Sequence, residues 1–311
     1  MSSVVVLGAE DVYRAVSPVV ALESVRDAFV AHYRGEWTMP PKVYVPAYPA
    51  GDFRAMPALG AGHALLKWVT SFPGNPARGL PTVTGLVLLS DASDGRLVGV
   101  LDAGAVTALR TGAAAVLAAE TLGRPGTAAV IGAGVNGRAA ARTFLARGQD
   151  VMLWDVNAER AAAVAGELGA RVASSQEDAL AADQVVTVTP GNEVLFSDGT
   201  LQPGQHVSLM GADGPGKAEI AVEELVRARV FCDDWEQASH GGELAAAVAA
   251  GRLDRDRVTT LGAVLAGEAP GREADSDVTV FDSTGLAVQD LAIALAATEC
   301  AAELELPTFE L

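Results

Sequence analysis

The stretch 128-AAVIGAGVNGRAAARTFLARGQDVMLWDVN-157 decides the fold. A short apolar run, AAVI, enters the glycine pattern 132-GAGVNG-137. An alanine-rich helical stretch follows, and a second apolar run ends at Asp155. In this setting Gly132 permits a tight turn, Gly134 lets the backbone approach a pyrophosphate, and Gly137 lets helix and strand pack closely. Phosphate would rest on the free N–H groups at the head of the helix, which places Ala133, Val135 and Asn136 in the same cofactor site. A carboxylate at Asp155, followed by Val156 and Asn157, can accept hydrogen bonds from adenosine ribose hydroxyls and would repel a 2′-phosphate. NAD is therefore favoured over NADP. FAD or another nucleotide stays open as an alternative, and so does a plain glycine-rich turn with a helix-capping aspartate.

Working outward, the same alternation continues. Strands are expected at 150–154, 170–173, 184–189, 206–210 and 228–232, and helices at 135–148 and 158–169, each closed by glycine. This is the pattern of a parallel sheet covered on both faces. The first hundred residues read differently: an early helix at about 18 to 34 precedes the β-like runs KVYVPAYP, HALLKWVT and VTGLVLLSD, separated by proline- and glycine-rich turns. From about 102 a long helical stretch leads into the alternating region, and a last helix follows the strand DVTVFD. That helix has no strand left to cross over to. The expected architecture is α/β, with a Rossmann-type parallel sheet domain, 106–284, inserted between the two halves, 1–105 and 285–311, of an α+β domain.

Composition narrows the function. With 311 residues, half of them hydrophobic, the chain can bury a substantial core. A net charge of -17, from 22 Lys+Arg against 39 Asp+Glu, argues against nucleic acid or an anionic membrane as partner. Cys232 and Cys300 both sit in apolar stretches, so buried free thiols and a reducing cytoplasm are expected, with no signal peptide in the opening residues. No uncharged apolar run approaches a membrane span, and the four histidines and two cysteines form no metal-ligand spacing.

Two cations stand in apolar surroundings: Lys67 in HALLKWVTSF and Arg110 in TALRTGAAAV. A buried cation is costly unless an anion meets it. That anion could be a substrate carboxylate, or the two could be a snorkelling lysine and an internal salt bridge. Asp213, in 207-VSLMGADGPGKAEI-220, is open in the same way between an Asp-Gly turn residue and a functional carboxylate. Trp68 reads as a core aromatic or a substrate wall, and His240 as a surface or inter-helix histidine.

Together, 67-KWVTSFPGNPARGLPTVTGLVLLSDASDGRLVGVLDAGAVTALRTGAAA-115, GAGVNG, MGADGPGK and 281-FDSTGLAVQD-290 resemble the ornithine cyclodeaminase/mu-crystallin family over nearly the whole chain. The resemblance implies a homodimer whose substrate-binding and dimerisation domain is built from both chain ends, with the NAD-binding Rossmann domain between them. It implies Asp213 and Lys67 as catalytic residues. Lys67, Arg110, Lys42, Met56, Thr284 and Gly285 would bind substrate. Thr82, Arg110, Thr111, Thr187, Thr189, Met210, Gly211, Ala212, Lys217 and Ser283 would join the glycine loop and 155–157 around the cofactor. The family includes cyclodeaminases, amino-acid dehydrogenases, imine and ketimine reductases, and a crystallin that binds a hormone.

One departure is Lys42, where the family usually carries an arginine. Lysine keeps the charge and loses the planar fork that grips a carboxylate. Another is Arg54, at a place where ornithine-specific members resemble one another in carrying an acid; a cation there would repel a distal ammonium. The implied activity is NAD(H)-dependent oxidation of an amino acid or reduction of an imine, with a small amino-acid or imine substrate. The alternatives are a cyclodeaminase using NAD catalytically and a non-catalytic small-molecule binder.

Overall fold

Glycine and proline break the apolar runs into short strands that build two separate sheets. The computed structural model describes residues 3–212, 214, 216–300, 304 and 306–310. The chain forms two compact units, Met1–Arg110 with Leu286–Leu311, and Thr111–Gly285. In chain order the first contains β1 (Ser3–Leu7), α1 (Ala9–Ala15), α2 (Pro18–Tyr33), β2 (Val43–Ala47), β3 (Gly51–Gly60), β4 (His63–Ser71), β5 (Val83–Asp91) and β6 (Leu97–Asp102). The division between units falls within helix α3 (Ala103–Leu122). The second unit continues with β7 (Ala128–Ile131), α4 (Val135–Ala146), β8 (Val151–Trp154), α5 (Ala158–Leu168), β9 (Arg171–Val172), α6 (Gln176–Leu180), β10 (Gln184–Thr187) and β11 (His206–Leu209). Then come α7 (Val222–Arg227), β12 (Arg229–Cys232), α8 (Trp235–Gly241), α9 (Leu244–Ala249), β13 (Val258–Thr260), α10 (Leu261–Leu265) and β14 (Thr279–Asp282). The chain returns to the first unit with α11 (Ala287–Cys300) and β15 (Thr308–Glu310).

Among the described residues, the first unit's sheet has seven strands in the order β15-β1-β6-β5-β4-β3-β2, antiparallel except for the pair β1 and β6. One face carries Met56, Lys67, Val69 and Val87, all buried, and packs against α11. Helix α2 also packs on α11. Its start is set by the Ser17 hydroxyl, which accepts the Val20 N–H, and by proline at the first helical position. Its inner stripe is Ala21, Leu22, Val25, Ala28 and Phe29, the spacing of an amphipathic helix.

Among the described residues, the second unit's sheet is parallel throughout, eight strands in the order β13-β12-β14-β11-β10-β7-β8-β9. Chain order reverses at β7: β8 and β9 lie to one side, β10 to the other. The loop leaving β7 therefore opens at the point where α/β sheets hold ligands.

The structure corrects several expectations. Strands β1, β3, β6 and β13 went unread. In β3, Arg54 and Pro57 disturb the apolar alternation, and pairing with β2 and β4 on both sides supplies what local sequence lacks. The strand expected at 170–173 shrinks to Arg171–Val172. A strand does follow the last helix: β15 pairs with β1 in the other sheet, so the stated reason for the insertion fails although the insertion itself is observed. Helix α3 is long and apolar enough to cross a membrane, but it is mostly buried within the protein and carries Arg110 and Glu120.

Candidate active site

In the second unit the glycine loop has the geometry of a phosphate cradle. Gly132 adopts φ 101°, in the region that favours glycine, and its N–H donates to the Trp154 carbonyl at 2.8 Å. A Cβ on Gly137 would meet the Gly132 carbonyl oxygen at 1.7 Å, so only glycine lets α4 start so close to β7. A Cβ on Gly134 would meet nothing, and no side chain caps α4 there. The helix head is thus open to an anion. Val135, which begins α4, and Val156, just after β8, are 66% and 81% exposed. Asp155 is buried, and its carboxylate accepts the N–H groups of Ala133 at 2.7 Å and Asn157 at 2.8 Å. Arg160, which sequence reasoning did not single out, donates Nε and Nη2 to the same carboxylate at 3.0 and 2.6 Å.

The loops that leave β10, β11 and β14 are fastened by two buried acids that the sequence reading also missed. The Glu219 carboxylate accepts the hydroxyls of Thr187 and Thr189 at 2.6 Å each, and the N–H groups of Thr189 and Gly211 at 3.2 and 3.0 Å. Burial pushes this carboxyl up, against the pull of those donors. A Cβ on Gly211 would lie 2.5 Å from the Glu219 carboxyl carbon, so glycine is required where this loop starts. Asp233 does the same for 283–285: its carboxylate accepts the hydroxyls of Ser283 and Thr284 and the Gly285 N–H at 2.7 Å. Between them lie Glu243, which accepts the Glu219 N–H, and Asp282, which accepts the Leu244 N–H. Burial raises the carboxyls of both, and the neighbouring carboxylates, Asp233 beside Asp282 and Asp282 beside Glu243, raise them further. Thr187 is fully buried with its hydroxyl committed to Glu219. Met210 and Lys217 are half-buried, Ala212 is buried, and Asp213 lies outside the described residues. Among the described residues the buried Thr111 hydroxyl has no hydrogen-bond partner.

The first unit brings the two apolar-context cations together. Lys67, 1% exposed, donates Nζ to the Asp290 carboxylate at 2.8 Å, and Arg110 Nε lies 3.5 Å from the same oxygen. Asp290 is fully buried on α11. Among the described residues its other oxygen and Arg110 Nε lack hydrogen-bond partners, so these two cations share one anion with capacity to spare. Burial lowers the Lys67 ammonium to about 8; Asp290 opposes the shift, while Arg110 and Arg54 add to it. Met56 pairs with Lys67 across β3 and β4. Lys42, just before β2, and Thr82, whose carbonyl accepts the Phe72 N–H, are half-buried. The signal for Asp290 was in the sequence: an acid inside the apolar helix AVQDLAIALA carries the same implication as Lys67 in its strand.

Other expectations change. Trp68 is not core: it is 42% exposed, next to Lys67 and so on the opposite face of the sheet, stacked on Phe53. Arg54 is not a free cation, because it pairs with Asp52 at 2.6 Å and lies over the Tyr44 ring. Cys232 is buried, and burial followed by the charge of Asp233 pushes its thiol far up; Cys300 is only half-buried. His240 is exposed, held by the Glu236 carbonyl. His206, buried between Thr279 and Ser208, is lowered to about 3 by burial and then by Arg272, which makes it a neutral core histidine. Among the described residues no group of three or more His, Cys, Asp or Glu is arranged to hold a metal.

A family model, that of the ornithine cyclodeaminase/mu-crystallin family, matches residues 3–304. The chain belongs to this family. Its relatives include an alanine dehydrogenase of Archaeoglobus fulgidus, 40% identical over 299 residues covering 93% of this chain and 92% of the relative. An iminosuccinate reductase of Paracoccus denitrificans is 36% identical over 239 residues, 74% of each chain. Among solved structures, an archaeal alanine dehydrogenase dimer with bound NAD superposes with a TM-score of 0.93 at 38% identity, covering 99% of both chains. The family thus includes an alanine dehydrogenase and an iminosuccinate reductase.

Proposed function

We propose that this chain is an NAD(H)-dependent oxidoreductase acting on the CH–NH group of an amino acid or cyclic imine, as an amino-acid dehydrogenase or an imine or ketimine reductase. The observation that carries this is the buried pair Lys67 and Arg110 sharing the single anion Asp290, in a chain that also holds an open dinucleotide cradle. One substrate carboxylate would complete the charge of the pair and satisfy Arg110 Nε. The Rossmann unit is assigned the NAD site, held by 132–137 and Asp155. The other unit is assigned substrate binding and dimerisation.

Bound NAD+ supplies a hydride acceptor, and NADH a donor. In the oxidative direction Lys67 and Arg110 hold the substrate carboxylate and orient the Cα–H bond. Loss of hydride from Cα leaves an iminium. Asp213 is assigned the proton transfers that accompany water attack and ammonia release, or in reverse the protonation of the amine. Glu219 and Asp233 hold the loops that leave β10, β11 and β14. NAD is preferred to NADP because the acid at 155 stands where a 2′-phosphate would come.

A homodimer is supported by the outer face of the seven-stranded sheet, where Val43, Val45, Leu66, Trp68 and Leu86 are all exposed. This is a contiguous set by register, since Val43, Val45, Trp68 and Leu86 share one side of β2, β4 and β5. The two free cysteines suit a reducing compartment, and we place the enzyme in the cytoplasm.

With Arg54 neutralised by Asp52, the cation no longer disfavours a diamine substrate, so a cyclodeaminase remains the second reading. The deciding measurement incubates the protein with alanine, proline or ornithine and a catalytic amount of NAD+, following NADH and ammonia. The dehydrogenase reading expects NADH in step with substrate oxidised. Complete conversion of ornithine with ammonia and no net NADH would replace it by the cyclodeaminase reading.

A further inference from the structure

The carboxylate of Asp155 is fully subscribed. An ionised carboxylate has roughly four acceptor positions, two on each oxygen. Here Oδ1 accepts the Asn157 N–H and Arg160 Nη2, and Oδ2 accepts the Ala133 N–H and Arg160 Nε. Two of these donors are backbone groups fixed by the glycine loop and by the turn into α5. They cannot leave without opening the loop that would hold the pyrophosphate. The other two belong to one side chain, Arg160, in the first turn of α5, which is 49% exposed while the Asp155 side chain is 4% exposed.

A ribose hydroxyl that donates to Asp155 must therefore displace a guanidinium N–H. The same guanidinium cancels the charge of Asp155 to first order, and that charge was the ground for expecting a 2′-phosphate to be rejected. An arginine fork freed from the carboxylate matches a phosphate with two parallel donors. Arg138 of α4 is itself paired with Glu167 of α5, and Glu159 stands beside Arg160 in the first turn of α5. Burial alone would raise the Asp155 carboxyl, yet Arg160 and the two N–H groups outweigh it and hold the carboxyl below its usual range.

Resting on the NAD reading of this site, we propose that Arg160 is a specificity-determining residue: it competes with the adenosine ribose for Asp155 and offers its fork to a 2′-phosphate, narrowing the preference for NAD(H) over NADP(H). Asp155 alone would make the site strict, and Asp155 with Arg160 makes it less strict.

The test is equilibrium titration of the full-length protein with NADH and with NADPH, read by nucleotide fluorescence without substrate, for the wild type, Arg160→Ala and Arg160→Lys. The ratio of the NADPH to the NADH dissociation constant should widen by at least about fivefold in Arg160→Ala, with NADH binding unchanged or tighter, and should return part of the way in Arg160→Lys. Circular dichroism melting checks that each variant is folded, which a half-exposed side chain allows. A ratio within about twofold of wild type in folded Arg160→Ala overturns the inference and leaves the NAD site standing. Absence of binding by either nucleotide to the wild type overturns both.

Discussion

Both units bury charge, and they do so in opposite ways. In the second unit, Glu219 and Asp233 are buried carboxylates that accept backbone N–H groups and hydroxyls of the strand-end loops, Glu219 from two loops and Asp233 from 283–285. In the first, Lys67 and Arg110 converge on Asp290 with an oxygen of the aspartate and Nε of the arginine left over. A buried charge whose acceptor positions are filled by its own fold holds that fold together. One with unfilled positions and a net positive charge has room for a further anion. Burial by itself does not separate the two cases; the completeness of the hydrogen bonding does.

The comparison breaks most visibly at Lys67. In Lys67→Met, kcat/KM for the amino acid should fall by about a thousandfold, the scale of losing one partner of a buried charge pair at a ligand. Titrated NADH affinity should stay within about twofold, because the cradle belongs to the other unit. A loss of NADH binding of the same size would mean that Lys67 supports the fold as Glu219 does. In the second unit the reverse is expected. Asp233→Asn faces an amide toward donors at 283–285 and should lower stability by about 2 kcal/mol, read as a shift in the urea midpoint with an unchanged slope. An unchanged midpoint would remove Asp233 from the framework.

A pH profile sharpens the contrast further. Burial lowers the Lys67 ammonium to about 8, and as the proposed carboxylate ligand it would bind only when protonated. Its contribution is complete below that value and is lost as pH rises through it, so kcat/KM should fall about tenfold per pH unit above 8. In Lys67→Arg that limb should disappear, since a guanidinium stays charged. The smallest effect is expected at the paired cation beside the site: Arg54→Gln with Asp52→Asn should change the KM for alanine by less than about threefold, because the pair contributes no net charge. A larger change in steady-state KM would show that Arg54 acts on substrate directly.

Much of the second unit was legible because its signals are local. Gly132, Gly134, Gly137 and Asp155 lie on consecutive elements, and the strand, turn and helix periods agree over 128–157. The first unit was less legible. β3 carries Arg54 and Pro57 among its apolar residues and is a strand because β2 and β4 pair with it. Trp68 looked like core because the run around it is apolar, but alternation along β4 turns Lys67 inward and Trp68 outward. Lys67 could be suspected of needing an anion; which anion could not be read, because Asp290 is far along the chain on α11.

The sequence by itself determined the class of the fold, the place of the dinucleotide loop and the identity of the two cations that need a partner. These are properties of neighbouring residues: periodicity, the conformational freedom of glycine, and the cost of a charge in an apolar run. The tertiary structure alone decided that Asp290 stands between Lys67 and Arg110, that Glu219 and Asp233 fasten the strand-end loops, and that Arg160 closes over Asp155. Hydrogen bonds are short and directional, so whether a polar group is already satisfied depends on positions to within a fraction of an ångström, which no spacing along the chain encodes.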